Sequence, residues 1–237
     1  MVNAGCNSFM ENYDDLLEYQ EDILTPKDIN DLNWCQNNDI DSICIPNLRN
    51  KDDIINVRNI LGNKKKNQIF SKIQNSESLL NFEEIAKNSD GIIIARGYLT
   101  LYVAAENLFT LQAQMIKYCH EYLKPVFVQQ NVLDSMVSSL LPSFCEITEI
   151  SNLVYNFVDN IMLSEETSCG DHPLEAVKTL KRICLEAEQQ KENELFNNFQ
   201  QLTSTNITVQ SCILECAKKA AGELQAKAII VFTSRVL

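Results

Sequence analysis

Residues 91–95 are Gly-Ile-Ile-Ile-Ala, and Arg96, Gly97 and Tyr98 follow them directly. Every position of this run is apolar or glycine, whereas a strand with one solvated face would alternate apolar and polar residues. The run therefore predicts a strand that is covered on both faces. Four further short runs rich in β-branched and aromatic residues predict strands of the same kind, over residues 42–45, 68–72, 125–128 and 160–164.

The segments between these runs carry apolar residues at helical spacing. Thr25 and Pro26 predict the start of the first helix, since threonine caps helices and proline suits the first helical position. Gly62 predicts the end of the second helix. Consecutive strands begin roughly 23 to 35 residues apart, the length of one strand plus one helix, so we expect the strands to be parallel. The predicted helices cover residues 26–38, 51–61, 77–87, 105–123 and 173–192.

Repeated strand–helix units are typical of two architectures, an open doubly wound sheet and a closed (β/α)8 barrel. Periodicity alone does not decide between them, since five strands suit an open sheet and are too few for a complete barrel. Beyond the fifth unit, residues 197–204 are polar and predict a linker. Residues 208–224 predict an amphipathic helix, and residues 228–232 predict one more strand.

The composition disfavours several classes of partner. The 237 residues carry a net charge of −12, which opposes binding to nucleic acids and anionic membranes because their phosphates are also negative. No run approaches the roughly 18 apolar residues that a membrane span requires.

The start of the chain lacks the pattern of a secretory signal. Nine cysteines without a Cys-x-x-Cys pair predict reduced thiols in the cytosol.

The chemistry-bearing residues collect at the predicted carboxyl ends of the strands, which is where parallel barrels hold their active sites. Glycine-rich phosphate loops are absent from the sequence, and a zinc site is disfavoured because only His120 and His172 could join the cysteines. The strand ends predict a polar mouth without an obvious metal cage or nucleophile–base pair. Its residues are Lys72, Gln74, Arg96, Gly97, Tyr98, Gln129, Gln130, Ser164, Glu165 and Glu166.

Four stretches around these strand ends resemble signatures of the pyruvate kinase family. Ser71-Lys-Ile-Gln-Asn75 resembles Ser-Lys-Ile-Glu-Asn, and residues 89–99 resemble Ser-Asp-Gly-Ile-Met-Val-Ala-Arg-Gly-Asp-Leu. Residues 124–136 are similar to Lys-Pro-Val-Ile-Cys-Ala-Thr-Gln-Met-Leu-Glu-Ser-Met. Residues 161–177 are similar to Ile-Met-Leu-Ser-Gly-Glu-Thr-Ala-Lys-Gly-Asp-Tyr-Pro-Leu-Glu-Ala-Val. The stretches lie in family order within a resemblance that runs from about residue 24 to about residue 233.

The resemblance implies an α/β fold in which residues 24–192 are about the last five βα units of a (β/α)8 TIM barrel. Residues 193–237 would then be a linker and the truncated start of the family's C-terminal α/β domain, and residues 1–23 show no family match. An intact member of the family also has three earlier barrel strands and a lid domain. We expect both to be absent from these 237 residues.

The resemblance also implies an activity, the glycolytic transfer of a phosphoryl group from phosphoenolpyruvate to ADP, giving pyruvate and ATP, with Mg²⁺ and K⁺ as cofactors. In the family pattern, Lys72 is the catalytic residue that stabilises the transferring phosphoryl group. Lys72, Gly97, Tyr98 and Gln130 occupy its substrate-binding positions. Further positions that match the family at the mouth are Arg96, Ser164 and Glu166.

Two substitutions remove the metal ligands that the family would supply. Gln74 and Tyr98 stand where the family has the two carboxylates that hold Mg²⁺, a cation that prefers carboxylate and water oxygens. Gln130 replaces a substrate-binding threonine. We therefore expect a catalytically inactive member of the family that retains neither Mg²⁺ nor K⁺. Further departures at the mouth are Pro46, Thr100 and Glu165.

Three functions remain open from the sequence: a silent relative that binds protein partners, a phosphotransferase completed by another chain, or a different barrel enzyme such as a lyase. The lyase would need Glu165 and Glu166 as its acid–base pair. A ring cut to five strands has two open edges, near Ile43 and Met162, which can pair with other chains. We therefore expect a cytoplasmic homo-oligomer or association with full-length pyruvate kinase subunits, with neither nucleic acid nor membrane as partner.

Overall fold

The computed structural model describes residues 23–62, 67–198, 209–224, 226, 229 and 230. The chain divides into two compact units, Met1–Cys184 and Leu185–Leu237. The first unit contains the sheet that positions the predicted mouth residues. Within the described residues, no helix combines the length and the apolar character that crossing a membrane requires.

Five parallel strands form one sheet, and their order in the sheet is their order in the chain. This confirms the predicted α/β fold with a parallel sheet, and each predicted strand is present within a few residues of its predicted bounds. Among the described residues, the first and last strands each pair with one neighbour. The strands are β1 (Ser42–Ile45), β2 (Gln68–Ile73), β3 (Gly91–Ala95), β4 (Val126–Gln129) and β5 (Asn160–Met162).

The two faces of the sheet differ because side chains alternate between faces along each strand. On one face, Ile69, Ile92 and Val126 are fully buried in a cluster that includes apolar residues of the helices. Full burial of a side chain of this size contributes about 1.5–3 kcal/mol. Lys72 and Phe127 lie on the opposite face. The predicted catalytic residue Lys72 is therefore on the face that does not pack against the main apolar cluster.

A glycine allows two aromatic rings to meet on this second face. Phe70 of β2 and Phe127 of β4 stack with their ring centroids 4.9 Å apart, although β3 runs between the two strands. The register pairs Gly91 of β3 with Phe70. A Cβ atom at position 91 would lie 2.3 Å from Cε1 of Phe70. The stack therefore depends on the missing side chain of Gly91.

Side-chain caps define where several helices begin. The first backbone N–H groups of a helix have no partner within the helix. Thr25, Asn50, Asn75 and Ser143 each form a reciprocal capping box that satisfies such groups. The α-helices are α1 (Pro26–Asn37), α2 (Lys51–Leu61), α3 (Ser76–Leu80), α4 (Phe82–Asn88), α5 (Arg96–Leu99), α6 (Ala105–Glu121), α7 (Phe144–Tyr155), α8 (Glu165–Ser168), α9 (Pro173–Asn198) and α10 (Val209–Glu223), and a 3₁₀ helix covers Asp134–Val137.

Two predictions about helices need correction. The single helix expected over residues 77–87 is interrupted at Asn81 and forms α3 and α4. Asn81 has φ −97° and ψ 17°, outside helical geometry, and its side-chain amide donates a hydrogen bond to the backbone oxygen of Arg49 at 2.8 Å. Helix α7 was not predicted, although Ser143 and Glu146 form its capping box.

The end of the chain also differs from expectation. Residues 197 and 198 belong to α9 and not to a linker, while residues 199–208 lie outside the described residues. Helix α10 confirms the helix predicted over residues 208–224, while its amphipathic character stays a prediction. Of the strand expected over residues 228–232, only Ile229 and Ile230 are described, and they do not form a strand. The domain bounds at 23/24 and 192/193 stay predictions.

Candidate functional site at the carboxyl ends of the strands

The predicted mouth residues lie at one edge of the sheet. Lys72 is in β2 and Gln74 follows that strand, while Arg96, Gly97 and Tyr98 begin α5 immediately after β3. Gln130 follows β4, and Ser164 stands at the N-cap position of α8 shortly after β5, without a side-chain capping hydrogen bond. Because the carboxyl ends of neighbouring parallel strands share an edge, the topology brings these side chains to the same end of the sheet.

Lys72 is a half-buried cation beside an aromatic ring. Its Nζ atom lies 5.3 Å from the centroid of the Tyr98 ring, a distance at which the ammonium is attracted to the ring face. Among the described residues, no carboxylate forms an ion pair with Lys72. Burial lowers the pKa of Lys72, and the nearby Cys44 opposes that effect. Tyr98 keeps 44% of its surface exposed.

Cys44 is a site residue that the sequence analysis missed. It pairs in register with Phe70, two residues before Lys72, so its thiol shares the face that carries the lysine. The side chain of Cys44 is solvent-accessible, and the protein around it removes part of the water from its thiol. This partial desolvation raises the pKa of Cys44, and the charge of Lys72 opposes the rise. Strand alternation was the signal that could have placed Cys44 here.

Gln74, at one of the two expected metal-ligand positions, uses its amide within the protein. Its Nε2 donates a hydrogen bond to Oδ1 of Asn47, in the turn after β1. The Oε1 atom of Gln74 is buried and has no hydrogen-bond partner in the described residues. The residue therefore presents one neutral acceptor where the resemblance implies a carboxylate.

Arg96 secures the chain that leaves β4. Its side chain is only 6% exposed and forms an ion pair with Glu149 of α7. It also donates to the backbone oxygens of Gln130, at 3.2 Å from Nε and 3.1 Å from Nη2, and of Asn131, at 2.6 Å from Nη2. Burial lowers the pKa of Arg96, and the carboxylate of Glu149 opposes it. Glu149 was missed because α7 was missed.

The two residues that Arg96 holds have an unusual backbone. Gln130 has φ +71° and Asn131 has φ +52°, the left-handed region that costs a non-glycine residue roughly 1–2 kcal/mol. The Gln130 side chain packs on Gly97, where an added Cβ would lie 2.9 Å from its Oε1 atom. That oxygen is buried without a hydrogen-bond partner in the described residues. The Thr100 hydroxyl donates to the Gly97 oxygen at 2.6 Å.

Glu165 and Glu166 have different environments. Glu166 is fully buried, and its carboxylate accepts hydrogen bonds from the backbone N–H groups of Ser164 at 2.7 Å and Leu133 at 3.3 Å. Those bonds join the segments after β4 and β5. Glu165 is exposed. Since Glu166 is used to hold backbone, the pair offers poor support for the acid–base chemistry of a lyase.

The residues at the mouth do not fit Mg²⁺. Within the part of the chain that the structure describes, no group of three or more His, Cys, Asp or Glu residues could hold a metal ion. Gln74 contributes a neutral amide, and the neutral phenol ring of Tyr98 already faces the ammonium of Lys72. Mg²⁺ is a hard cation that is usually held through carboxylates, and neither Gln74 nor Tyr98 supplies one.

This chain is similar to pyruvate kinases. The model of the family described as pyruvate kinase, barrel domain, matches residues 17–177. A cytosolic isozyme of pyruvate kinase from Solanum tuberosum is 36% identical over 213 residues, and one from Glycine max is 37% identical over the same length. A pyruvate kinase from Candida albicans is 35% identical over 214 residues. Each alignment covers 89% of this chain and 42% of the relative, so the chain spans less than half the length of these relatives.

Proposed function

Because the chain belongs to the pyruvate kinase family, we propose that it is a member that retains the lysine of the mouth but does not catalyse phosphoryl transfer. The observation that carries this proposal is the contact between Lys72 and the ring of Tyr98. Tyr98 stands at a metal-ligand position of the family pattern, and here it contacts a cation of the protein. Relatives in potato and soybean are named cytosolic isozymes, and we propose the same compartment for this chain.

The magnitude of the missing interactions supports inactivity. Phosphoryl transfer depends almost entirely on positioning the groups and on neutralising the negative charge that develops. Loss of a group that merely orients a metal ligand typically costs about 10–100-fold in affinity or activity, and loss of the ligand itself should cost more. Gln74 and Tyr98 replace both carboxylates of the family pattern. Among the described residues of the mouth, Lys72 would have to neutralise the transferring group, since Arg96 is already paired with Glu149.

The first test measures activity and metal binding together. With phosphoenolpyruvate, ADP, Mg²⁺ and K⁺, the purified chain should form no ATP above a mock purification, and neither Mg²⁺ nor Mn²⁺ should raise its melting temperature. The double variant Gln74→Glu with Tyr98→Asp should gain a Mg²⁺-dependent rise, because it restores two carboxylates. The variant Asn30→Asp with Asn59→Asp is the matched control, since it adds the same charge at exposed positions of α1 and α2. Turnover that Lys72→Met abolishes would contradict the proposal.

A second candidate is a phosphotransferase that becomes active when another chain completes the ring. It is favoured by the outer edges of β1 and β5, where the described residues provide no further strand. Unpaired strand edges readily pair with other chains. Mixing the chain with an intact pyruvate kinase and measuring the mass by light scattering should then reveal a mixed complex. A monodisperse monomer, with no change in turnover on mixing, would contradict this candidate.

A further inference from the structure

Gly97, at a substrate-binding position of the family pattern, is engaged by two side chains that depart from that pattern. An added Cβ atom on Gly97 would lie 2.9 Å from Oε1, 3.3 Å from Cδ and 3.5 Å from Cβ of Gln130. The Gln130 side chain therefore lies along the glycine from its own Cβ atom to its amide oxygen. The Thr100 hydroxyl donates to the backbone oxygen of Gly97 at 2.6 Å. The space that the missing side chain of Gly97 leaves is thus occupied by protein atoms.

The backbone from which the Gln130 side chain projects is held in place. The guanidinium of Arg96 donates to the backbone oxygens of Gln130 and Asn131, and it is itself paired with Glu149. The amide oxygen of Gln130 is buried and has no hydrogen-bond partner in the described residues. A buried acceptor without a donor is unfavourable, so no hydrogen bond of this oxygen explains its position. The contact between Gln130 and Gly97 is therefore one of packing.

Lys72, at another substrate-binding position of the family pattern, is joined to this packing through its neighbours. Its Nζ atom lies 5.3 Å from the centroid of the Tyr98 ring. Tyr98 directly follows Gly97 in α5. Contacts and chain connectivity therefore link Lys72, through Tyr98 and Gly97, to Gln130. A ligand that reaches from the ammonium of Lys72 to Gly97 would meet the Gln130 side chain.

We propose that Gln130 is a specificity-determining residue that excludes small organic acids, phosphoenolpyruvate among them, from the mouth. The inference rests on the proposed function and adds a cause of inactivity that is independent of the metal. Non-bonded heavy atoms pack at about 3.5–4.0 Å, so a ligand atom cannot share the space beside Gly97 with the Gln130 amide. Removing that side chain opens the space, while Lys72 remains to attract a carboxylate or phosphate. Restoring carboxylates at positions 74 and 98 should therefore not restore phosphoenolpyruvate binding by itself.

The test measures binding of phosphoenolpyruvate to the full chain without metal, by saturation-transfer NMR of the vinyl protons of the ligand. The unaltered chain should show no saturable binding below about 10 mM. Gln130→Gly removes the side chain and suits the left-handed backbone at φ +71°. This variant should bind at least about tenfold more tightly, because it removes a steric conflict with the ligand. Adding Lys72→Met to Gln130→Gly should abolish the gain, since it removes the cation that attracts the anion.

Two matched variants separate the volume of the side chain from other effects. Asn131→Gly places glycine at the neighbouring left-handed residue, at φ +52°, but leaves Gln130 on Gly97. Gln130→Met keeps a side chain of similar length without the amide. Both should bind phosphoenolpyruvate as weakly as the unaltered chain.

Three results would contradict the role of Gln130: no gain in Gln130→Gly, an equal gain in Asn131→Gly, or a gain that survives Lys72→Met. Binding of phosphoenolpyruvate by the unaltered chain without ATP formation would overturn this inference alone. ATP formation by the unaltered chain would overturn the proposed function on which the inference rests.

Discussion

Replacing Arg96 by methionine is expected to lower the free energy of unfolding by about 3 kcal/mol. The reason is what the substitution leaves behind: an unpaired carboxylate at Glu149 and two backbone oxygens, of Gln130 and Asn131, without their donor. Breaking a buried pair by removing one partner costs about 3–5 kcal/mol, and the lower figure applies because the Glu149 side chain is 32% exposed. Urea unfolding followed by circular dichroism measures the change.

Two milder variants locate the origin of this loss. Arg96→Lys keeps the charge but lacks the planar fork that reaches several acceptors, so it should lose most of the same stability. Glu149→Gln keeps an acceptor for the guanidinium and should cost about 1 kcal/mol. Hydrogen exchange of residues 129–135 should accelerate more in the arginine variants than exchange in β2. A uniform change across the sheet, or no change, would show that Arg96 does not hold this segment.

Replacing Gly91 by alanine is expected to lower the free energy of unfolding by about 2–3 kcal/mol, although alanine is ordinarily well tolerated. The added methyl would lie 2.3 Å from Cε1 and 2.6 Å from Cδ1 of Phe70. That ring cannot simply swing away, because it stacks on Phe127 at 4.9 Å and is almost fully buried. The strand or the stack must therefore shift.

A double-mutant cycle tests this cause directly. In a chain that carries Phe70→Leu, the Gly91→Ala substitution should cost about 1–2 kcal/mol less, since the side chain in conflict is smaller and not aromatic. Gly97→Ala is the matched control. Its Cβ would meet the flexible end of Gln130 at 2.9 Å, so the expected change is below about 1 kcal/mol. Additive effects of the substitutions at positions 70 and 91 would refute steric conflict as the cause.

The strands could be predicted from the sequence because a strand that is buried on both faces consists mainly of apolar residues. β3 is apolar throughout and is buried at every position. β1 and β5 are half-exposed, and their β-branched residues were sufficient to predict them. Helix starts were predictable where a cap residue stood alone before an apolar pattern, as Thr25 does. The order of strands in the sheet follows from short connections between consecutive parallel strands.

The errors arose where a contact distant in the chain overrides a local pattern. Asn81 interrupts a helix because Arg49, 32 residues earlier, accepts its amide hydrogen bond. The residues of the mouth were also only partly predictable, because some of their contacts are with residues distant in the chain. The position of the mouth was predictable, since strand ends share an edge, but the pairing of Arg96 with Glu149 joins residues 53 positions apart. No spacing rule reveals which carboxylate an arginine will reach.

Because strand order equals chain order, this sheet can grow in the direction in which a ribosome releases the chain. When each of the strands β2 to β5 leaves the ribosome, the strand with which it pairs has already been released. None of them therefore needs a later segment of the chain before it can join the sheet. The contacts that close each unit span only a few tens of residues, which keeps the search for partners short. During synthesis, the growing edge of the sheet advances from β1 towards β5, while the outer edge of β1 stays where it formed.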